Sequence, residues 1–458
     1  MIRAIAIVLL ISLAACMGPR PEIPREAGVT PPAAWRGRTS VAEGDIDARW
    51  WQTLGDPVLT QVVETALAHN DDIELAATRV MEARGRFHLA NAERWPDIVG
   101  TAQGSRDQSV NPATGTPLLQ TDGETEVTAF FDLDLFGKLA EASESARAEL
   151  LSSRAARDSV RLAVAASAAS GYVTLRALDA RLEILHETLA ARADSLRILR
   201  RRAEVGYASQ LDLAQAEADF RSAEEQIPAA QLAITRQEDS LNVLLGENPR
   251  AIERGVDLGK LALPTVPTTL PASLLRRRPD VVAAEDAVVA GDHALDSARA
   301  AFLPDVQLAA AGGYAGSNMI VSNPIQLFLI GGSILAPLMD SGRLRAQEQI
   351  VTAERNRAAF SYRKTVLTAF SEVEDSLAAI KRLKSQEVSA GAERDAYAHA
   401  LRLATNRYRA GYSPYLDQLD ADRSLLSSEL ALVQIRADRL TAIINLYEAL
   451  GGGWVPAD

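Results

Sequence analysis

The sequence predicts a mainly α-helical chain, internally duplicated, with long coiled-coil helices and four strands that belong to a membrane β-barrel shared between copies. Three observations carry that prediction. Landmark residues recur at a fixed long interval, leucines repeat in heptads along proline-free segments, and short stretches alternate apolar with polar residues.

The duplication is read from small markers. Gly206-Tyr207 with Leu211-Asp212 returns as Gly411-Tyr412 with Leu416-Asp417, 205 positions later (411 − 206), and Leu245-Gly246 returns as Leu450-Gly451. Upstream, Trp95-Pro96-Asp97-Ile98 corresponds to Leu303-Pro304-Asp305-Val306 at an offset of 208 (304 − 96), so a small deletion in the first copy is expected between the markers. Each copy follows one plan. A helix near Leu59–Arg94 or Val281–Leu303 ends at Pro96 or Pro304. Two strands joined by a Gly- and Thr-containing loop come next, then a very long helix, a tight Gly-Tyr turn and a return helix.

The long helices are of coiled-coil type. Leu175, Leu178, Leu182, Leu185 and Leu189 alternate spacings of three and four, and the pattern resumes at Leu196 and Leu199 beyond Arg192. The last helix keeps the same beat through Leu419, Leu426, Leu430, Val433, Ala437, Leu440, Ile444 and Tyr447, interrupted only by Arg423. A sustained seven-residue repeat implies a left-handed supercoil. Leu139–Val205 contains no proline, and a helix of about 65 residues would be roughly 100 Å long, suited to a rod or a tube wall. Pro228 is expected to kink the first return helix; Val433 holds the equivalent place in the second copy.

The strands carry the membrane argument. From Glu126 to Phe136, the residues Val127, Ala129, Phe131, Leu133 and Leu135 alternate with Glu126, Thr128, Phe130, Asp132 and Asp134. One face is apolar and the other mostly polar, as a strand between lipid and water requires. Val306–Gly312 alternates more weakly, and Ile325–Leu335 is apolar on both faces. Strands of about ten residues cross a bilayer when tilted. Four strands cannot close a barrel, for which about eight are the practical minimum. An open edge in hydrocarbon costs several kcal/mol per unpaired backbone group. A membrane barrel must therefore be shared, and a dimer or a trimer both satisfy closure. The competing reading places these strands in a soluble periplasmic α+β protein.

Composition narrows the function. The 458 residues are 47% hydrophobic and 24% charged, with a net charge of −12, which argues against a disordered chain. The basic stretches are short, Arg200-Arg201-Arg202 and Arg276-Arg277-Arg278, so no nucleic-acid partner is expected. The mature region has no apolar window of about eighteen residues, so no transmembrane helix is expected. The N-terminus reads as a secretory signal: Arg3, an apolar run from Ala4 to Leu13, then Leu13-Ala14-Ala15-Cys16. Cys16 is the only cysteine, so no intrachain disulfide can form. Its place resembles a lipobox, with Cys16 acylated as residue one of the mature protein, and Met17 after it favours sorting to the outer membrane. A tether with Pro19, Pro21, Pro24, Pro31 and Pro32 follows, and its composition favours an extended path.

The ordered set of motifs resembles the TolC-type outer membrane factors, in the NodT-like lipoprotein branch. It comprises the lipobox, Trp50-Trp51-Gln52-Thr53-Leu54-Gly55-Asp56-Pro57, Trp95-Pro96-Asp97 and Asp132-Leu133-Asp134-Leu135-Phe136-Gly137-Lys138. In the second copy it continues with Leu275-Arg276-Arg277-Arg278-Pro279-Asp280, Ser341-Gly342-Arg343-Leu344 and Glu372-Val373-Glu374-Asp375. The resemblance implies a TolC-like fold: a homotrimer with a shared twelve-stranded outer-membrane β-barrel and a long α-helical barrel across the periplasm. It also implies a periplasmic adaptor protein and an inner-membrane pump of the RND type as partners, and small toxic compounds as cargo. The chain divides accordingly into a signal peptide (1–15), a lipid-anchored tether (16–49), a first repeat (50–250), an equatorial linker (251–275) and a second repeat with a short tail (276–458).

Candidate mechanistic residues cluster at the Gly-Tyr turns. Gly206 and Gly411 can take positive φ and end a helix sharply; Ser209 offers an N-cap with Asp212 at capping-box spacing, and Pro414 holds the matching place. Turn and cap roles account fully for these residues. The resemblance adds that Gly206, Tyr207, Gly411 and Tyr412 form tips that meet the adaptor. Asp417 and Asp420 lie three apart on one helix face and match the aspartates that narrow the entrance in this family; stacked Asp rings would favour cations. Complementing the helix dipole is the plainer reading. Tyr408 and Asp212 match a pair that holds the entrance shut. Ser413 stands where the family has a basic latch residue, which leaves fewer links or Arg423 as a substitute.

Catalysis is not expected. His69, His88, His186, His293 and His399 are scattered without metal-type spacing, no nucleophile elbow or phosphate loop is present, and no cofactor is implied. Glu372, Glu374 and Asp375 read as a solvated helix face. Two rivals remain: a duct of the same fold for protein or peptide secretion, and a pore-less periplasmic coiled-coil lipoprotein.

Overall fold

Asp56 starts the first helix. Its carboxylate accepts the N–H groups of Val58 (2.8 Å) and Leu59 (3.3 Å), with Pro57 in the first turn. The computed structural model describes residues 18–36, 46–265, 271–319, 321 and 324–455; Cys16 lies outside them. The single helix expected over Leu59–Arg94 is two, α1 (Pro57–His69) and α2 (Asp71–Ala92). Asn70 between them is extended, and its Oδ1 accepts the N–H groups of Asp72 (3.0 Å) and Ile73 (3.3 Å), so an internal cap opens a new helix.

Strands β1 (Asp97–Val110) and β2 (Pro117–Asp132) form a hairpin, followed by α3 (Lys138–Glu204) and α4 (Gln210–Leu244). After a one-turn helix at Pro271–Leu274 the plan repeats as α5 (Pro279–Ala300), β3 (Asp305–Ser317), β4 (Ile325–Leu335), α6 (Arg343–Arg409) and α7 (Tyr415–Ala449). The correspondence is close: α3 and α6 each have 67 residues, and α4 and α7 each have 35. Both pairs start and end 205 positions apart (343 − 138, 449 − 244), whereas α2 and α5 are offset by 208 (279 − 71). The deletion expected in the first copy is therefore in the second, which is three residues shorter (208 − 205), because a falling offset means fewer residues between its markers; the difference lies in its strand-and-turn region. Pro228 does not end α4, which runs on past it; Ile227 and Ala230 pack into an apolar layer on both sides of the proline.

The four strands form one antiparallel sheet in the order β1-β2-β3-β4. Asp97 pairs with Phe130, Asp122 with Ser317 and Asp305 with Leu335. β2 starts earlier and stops sooner than its alternation implied: Leu133 and Leu135 lie past its end. There Asp134 turns to a φ of 45°, and its carboxylate accepts the N–H groups of Leu139 (3.0 Å) and Ala140 (2.7 Å), which begins α3. Along β2, Leu119, Thr125 and Val127 are exposed, while Gln120, Asp122, Glu124 and Glu126 are half-buried on the other face. Gln103 donates to Glu124 across the β1–β2 pair (2.7 Å) on that polar face. β4 is exposed along nearly its whole length, with Phe328 at 81% and Ile330 at 85%. β1 and β4 are the two free edges.

The chain packs as two compact units, Met1–Val29 with Thr78–Arg154 and Ala283–Lys364, and Thr30–Ala77 with Ala155–Val282 and Thr365–Asp458. The first holds the sheet. In it the segment after Met17 lacks regular structure apart from a turn at Arg25–Ala27, and Arg20 pairs with Asp292 (3.0 Å) and Asp296 (2.8 Å) of α5. In the second, Trp50 is buried and stacks on Tyr447 at 5.0 Å. Arg278 forks onto both carboxylate oxygens of Asp280 (2.9 and 2.7 Å) and donates to Glu372 (2.5 Å) and the carbonyl of Ala449 (3.2 Å). Glu374 accepts the N–H of Arg36 (2.6 Å). The acidic run at Glu372–Asp375 is thus more than a solvated face: two of its carboxylates tie α6 to other segments.

Candidate functional site

Both hairpins close with the same backbone device. At the first tip the N–H of Gly206 bonds to the carbonyl of Ala203 (3.1 Å) and that of Tyr207 to Arg202 (2.7 Å); at the second, Gly411 bonds to Tyr408 (3.0 Å) and Tyr412 to Arg407 (2.9 Å). This is a Schellman closure, and it requires the left-handed φ of 78° at Gly206 and 79° at Gly411. Tyr207 and Tyr412 stand out at 86% and 80% exposure, beside exposed Val205, Leu211 and Leu416. Ser209 caps α4, its Oγ accepting the Asp212 N–H at 3.0 Å. Pro414 is the N-cap of α7 and offers no side-chain cap.

Behind the tips lies an apolar layer of Leu196, Leu199, Ala216, Tyr415 and Leu419, with Tyr408 packed against it. The Tyr408 ring meets Tyr415 edge-on at 5.5 Å and lies under the guanidinium of Arg202, also at 5.5 Å. Tyr408 and Asp212 are not hydrogen-bonded to each other within the single chain. Asp417 and Asp420 are both exposed on the first turns of α7. The Ser413 Oγ is buried without a hydrogen-bond partner.

One step further along the helices is an ionic layer of which only Arg423 was among the sequence-based candidates. Arg192 of α3 is buried; its Nε donates to Asp422 (2.9 Å) and its Nη1 to the backbone carbonyl of Asp219 (3.2 Å). Arg423 of α7 sets Nε (3.0 Å) and Nη2 (2.7 Å) on one oxygen of the Asp219 carboxylate. Arg423, the possible substitute for the missing latch residue, is thus engaged within its own chain. Burial pushes the Asp422 carboxyl up, and Arg192 opposes this only in part. Burial, with Asp219 and Asp422 nearby, drives the Tyr415 hydroxyl up to about 12. The hydrogen bonds to Asp219 hold Arg423 above its ordinary range. Beyond this layer a second apolar layer follows, of Leu185, Ile227, Ala230 and Leu426. The signal that could have found the layer was already visible: Arg192 and Arg423 are the two interruptions in the heptads, and a charge at a heptad core position needs a partner.

An antiparallel four-stranded sheet with two free edges, joined to duplicated helical hairpins of this length, defines the protomer of a TolC-like outer-membrane channel. The outer membrane efflux protein family matches residues 62–247 and 270–452. The probable efflux pump outer membrane protein TtgC of Pseudomonas putida is 34% identical over 450 residues, 95% of this chain and 91% of that protein. The pyoverdine export outer membrane protein OpmQ of Pseudomonas putida is 31% identical across 97% of this chain and 96% of its own length. The solved outer-membrane channel OprN superposes with a TM-score of 0.87 at 26% identity, covering 95% of this chain and 99% of that one. The chain belongs to the outer membrane efflux protein family, and it is the outer-membrane component of an efflux system.

No helix among the described residues is long and apolar enough to cross a membrane, and no group of three His, Cys, Asp or Glu side chains among them could hold a metal ion.

Proposed function

We propose that the protein is a passive exit duct for drugs or other small toxic compounds, a homotrimer anchored by lipid at Cys16 and extending into the periplasm, not a catalyst. It works with a periplasmic adaptor and an inner-membrane pump of the RND type. The observation that carries this reading is the open sheet. β1 and β4 each leave a row of backbone groups without a strand partner, beside exposed Phe328, Ile330 and Ile334. In hydrocarbon such edges must pair. Because each chain supplies an even number of strands, β4 of one copy meets β1 of the next in antiparallel sense, and a ring of copies leaves no edge. Three copies give the twelve strands that the family resemblance implies.

Residues 1–15 are then the cleaved signal, 16–49 the anchored tether, 50–250 and 276–458 the two repeats, and 251–275 the linker. Asp417 and Asp420 form two carboxylate rings at the periplasmic entrance, Tyr408 and Asp212 help to hold it closed, and the Gly206-Tyr207 and Gly411-Tyr412 tips meet the adaptor. The efflux and pyoverdine export in the relatives' names support small-molecule cargo over protein or peptide secretion. The polar-faced, apolar-faced strand β2 supports a pore over a pore-less lipoprotein.

The test pairs gel migration with conductance. Outer-membrane fractions should give an oligomer on SDS gels that collapses to the monomer on boiling, and the purified oligomer should conduct in planar bilayers. A monomer without channel activity would overturn the reading.

A further inference from the structure

The ionic layer is costly where it stands. Asp219 is 4% exposed; one carboxylate oxygen holds Arg423, and the other is buried with no hydrogen-bond partner. Buried ion pairs between apolar layers rarely add net stability, because leucines of similar volume pack as well without the desolvation cost. What they do supply is register: charged side chains at heptad core positions tolerate only the alignment that brings them together. Here the alignment joins three helices, α3 through Arg192, α4 through Asp219, and α7 through Asp422 and Arg423. A slip of α7 by one turn, about 5.4 Å, would set both charge pairs against the leucines of the neighbouring layers. Asp420 lies three residues before Arg423 on the same unbroken helix, and Asp417 three before that. Whatever fixes Arg423 also fixes where those two carboxylates stand.

We propose that Asp219, gripped by Arg423 and backed by the Arg192–Asp422 pair, is a positioning residue for the entrance: it sets the axial and rotational place of the Asp417–Asp420 turn against the first hairpin. This rests on the reading of Asp417 and Asp420 as the entrance. The layer is a fixed base behind the tips, so its loss lets the aspartate-bearing turn wander and the closed mouth leak.

The experiment is a double-mutant cycle in the full-length trimer, with Asp219→Asn and Arg423→Gln. Asp219→Asn is nearly isosteric, and Arg423 is half exposed, so an SDS-resistant oligomer on unboiled gels confirms assembly before any conductance is read. Each single variant should raise single-channel conductance by about twofold or more, and the double variant should rise no further than the larger single, because both remove the same link. Unchanged conductance alongside weakened oligomer would mean a purely structural layer and overturn the proposal, as would independent, additive effects. Asp417→Ala with Asp420→Ala is measured in the same bilayers. If that pair changes ion selectivity while Asp219→Asn changes nothing, the positioning role is wrong and the entrance reading stands. If neither has an effect, the entrance reading fails and the proposal falls with it.

Discussion

Arg355, fully buried on α6, donates to the backbone carbonyls of Pro21 (2.8 Å) and Glu22 (2.9 Å). The chain just downstream of Cys16 is thereby held by a planar two-nitrogen fork, with Asp292 at 3.6 Å to balance the charge. Gly291 makes room for it, since a Cβ there would lie 3.0 Å from the Arg355 Cα. Arg299 repeats the arrangement, donating to the carbonyls of Gly18 (2.9 Å) and Pro19 (3.3 Å). From Gly18 to Glu22 the chain is therefore docked rather than free. Arg355→Met leaves two carbonyls without their donor and should cost about 2–4 kcal/mol. Limited trypsin digestion should then cut after Arg25 many times faster than in the wild type. Arg355→Lys, which lacks the fork, should fall between the two.

Tyr172 and Asp56 form a second buried link, 116 positions apart in sequence. The Tyr172 hydroxyl donates to Asp56 (3.2 Å) and accepts the N–H of Gly255 (2.8 Å), while Asp56 also takes the N–H of Val256 (3.1 Å). Burial, before any nearby charge, pushes this hydroxyl up to about 12, so it remains a donor at every physiological pH. Tyr172→Phe should cost about 1–2 kcal/mol. Asp56→Ala should cost more, because it removes the cap of α1 as well as the anchor of the 255–256 backbone. Thermal denaturation of the purified oligomer ranks the two; a larger loss for Tyr172→Phe would contradict this order.

These two links show where sequence reading reached and where it stopped. Heptads, duplicated markers and Gly-Tyr turns are local patterns, so the long hairpins and their tips were legible from Leu175, Gly206 and their repeats. Ile325–Leu335 was delimited correctly because its apolar run is bounded by turn residues. β1 was harder: Gly100, Gly104, Ser105 and Arg106 give no alternation, because neither face of that strand is buried. The break at Asn70 was hidden inside an amphipathic run, since a capping side chain does not disturb hydrophobic periodicity. Asp219 looked like any surface aspartate. Its partner is 204 positions away, and only the fold brings them together.

Glu448 on α7 makes stability depend on pH. Burial raises its carboxyl from 4.5 to about 7; Glu372 and Asp280 add to the rise, and Arg278 opposes it. An acid whose folded pKa exceeds its unfolded value binds its proton more tightly when folded. Its contribution is therefore full below about pH 4.5 and is lost as pH climbs through 7. Glu448→Gln imitates the protonated form. It should be more stable than wild type at pH 8, by about 1–3 kcal/mol, with the advantage shrinking towards pH 5. Melting of both proteins across that range checks the sign; an advantage that grows on acidification would refute the assignment.

Asp417 and Asp420 separate their two readings by position. As N-terminal carboxylates they would complement the helix dipole, an effect worth about 0.3–1 kcal/mol that fades beyond the first turn. α7 begins at Tyr415, so Asp417 is its third residue and Asp420 its sixth. The dipole accounts for Asp417 and hardly for Asp420. Both are exposed, and neither makes an ion pair among the described residues, so replacing them leaves the packing intact. Asp417→Ala should therefore lose a few tenths of a kcal/mol and Asp420→Ala almost nothing. If the two carboxylates line the entrance, each substitution should nonetheless lower the preference for cations, and together they should lower it most. Reversal potentials in a salt gradient across a planar bilayer measure this directly. A stability loss at Asp417 with selectivity unchanged in both variants would leave only the dipole role, and the constriction would then belong to other residues near the tips.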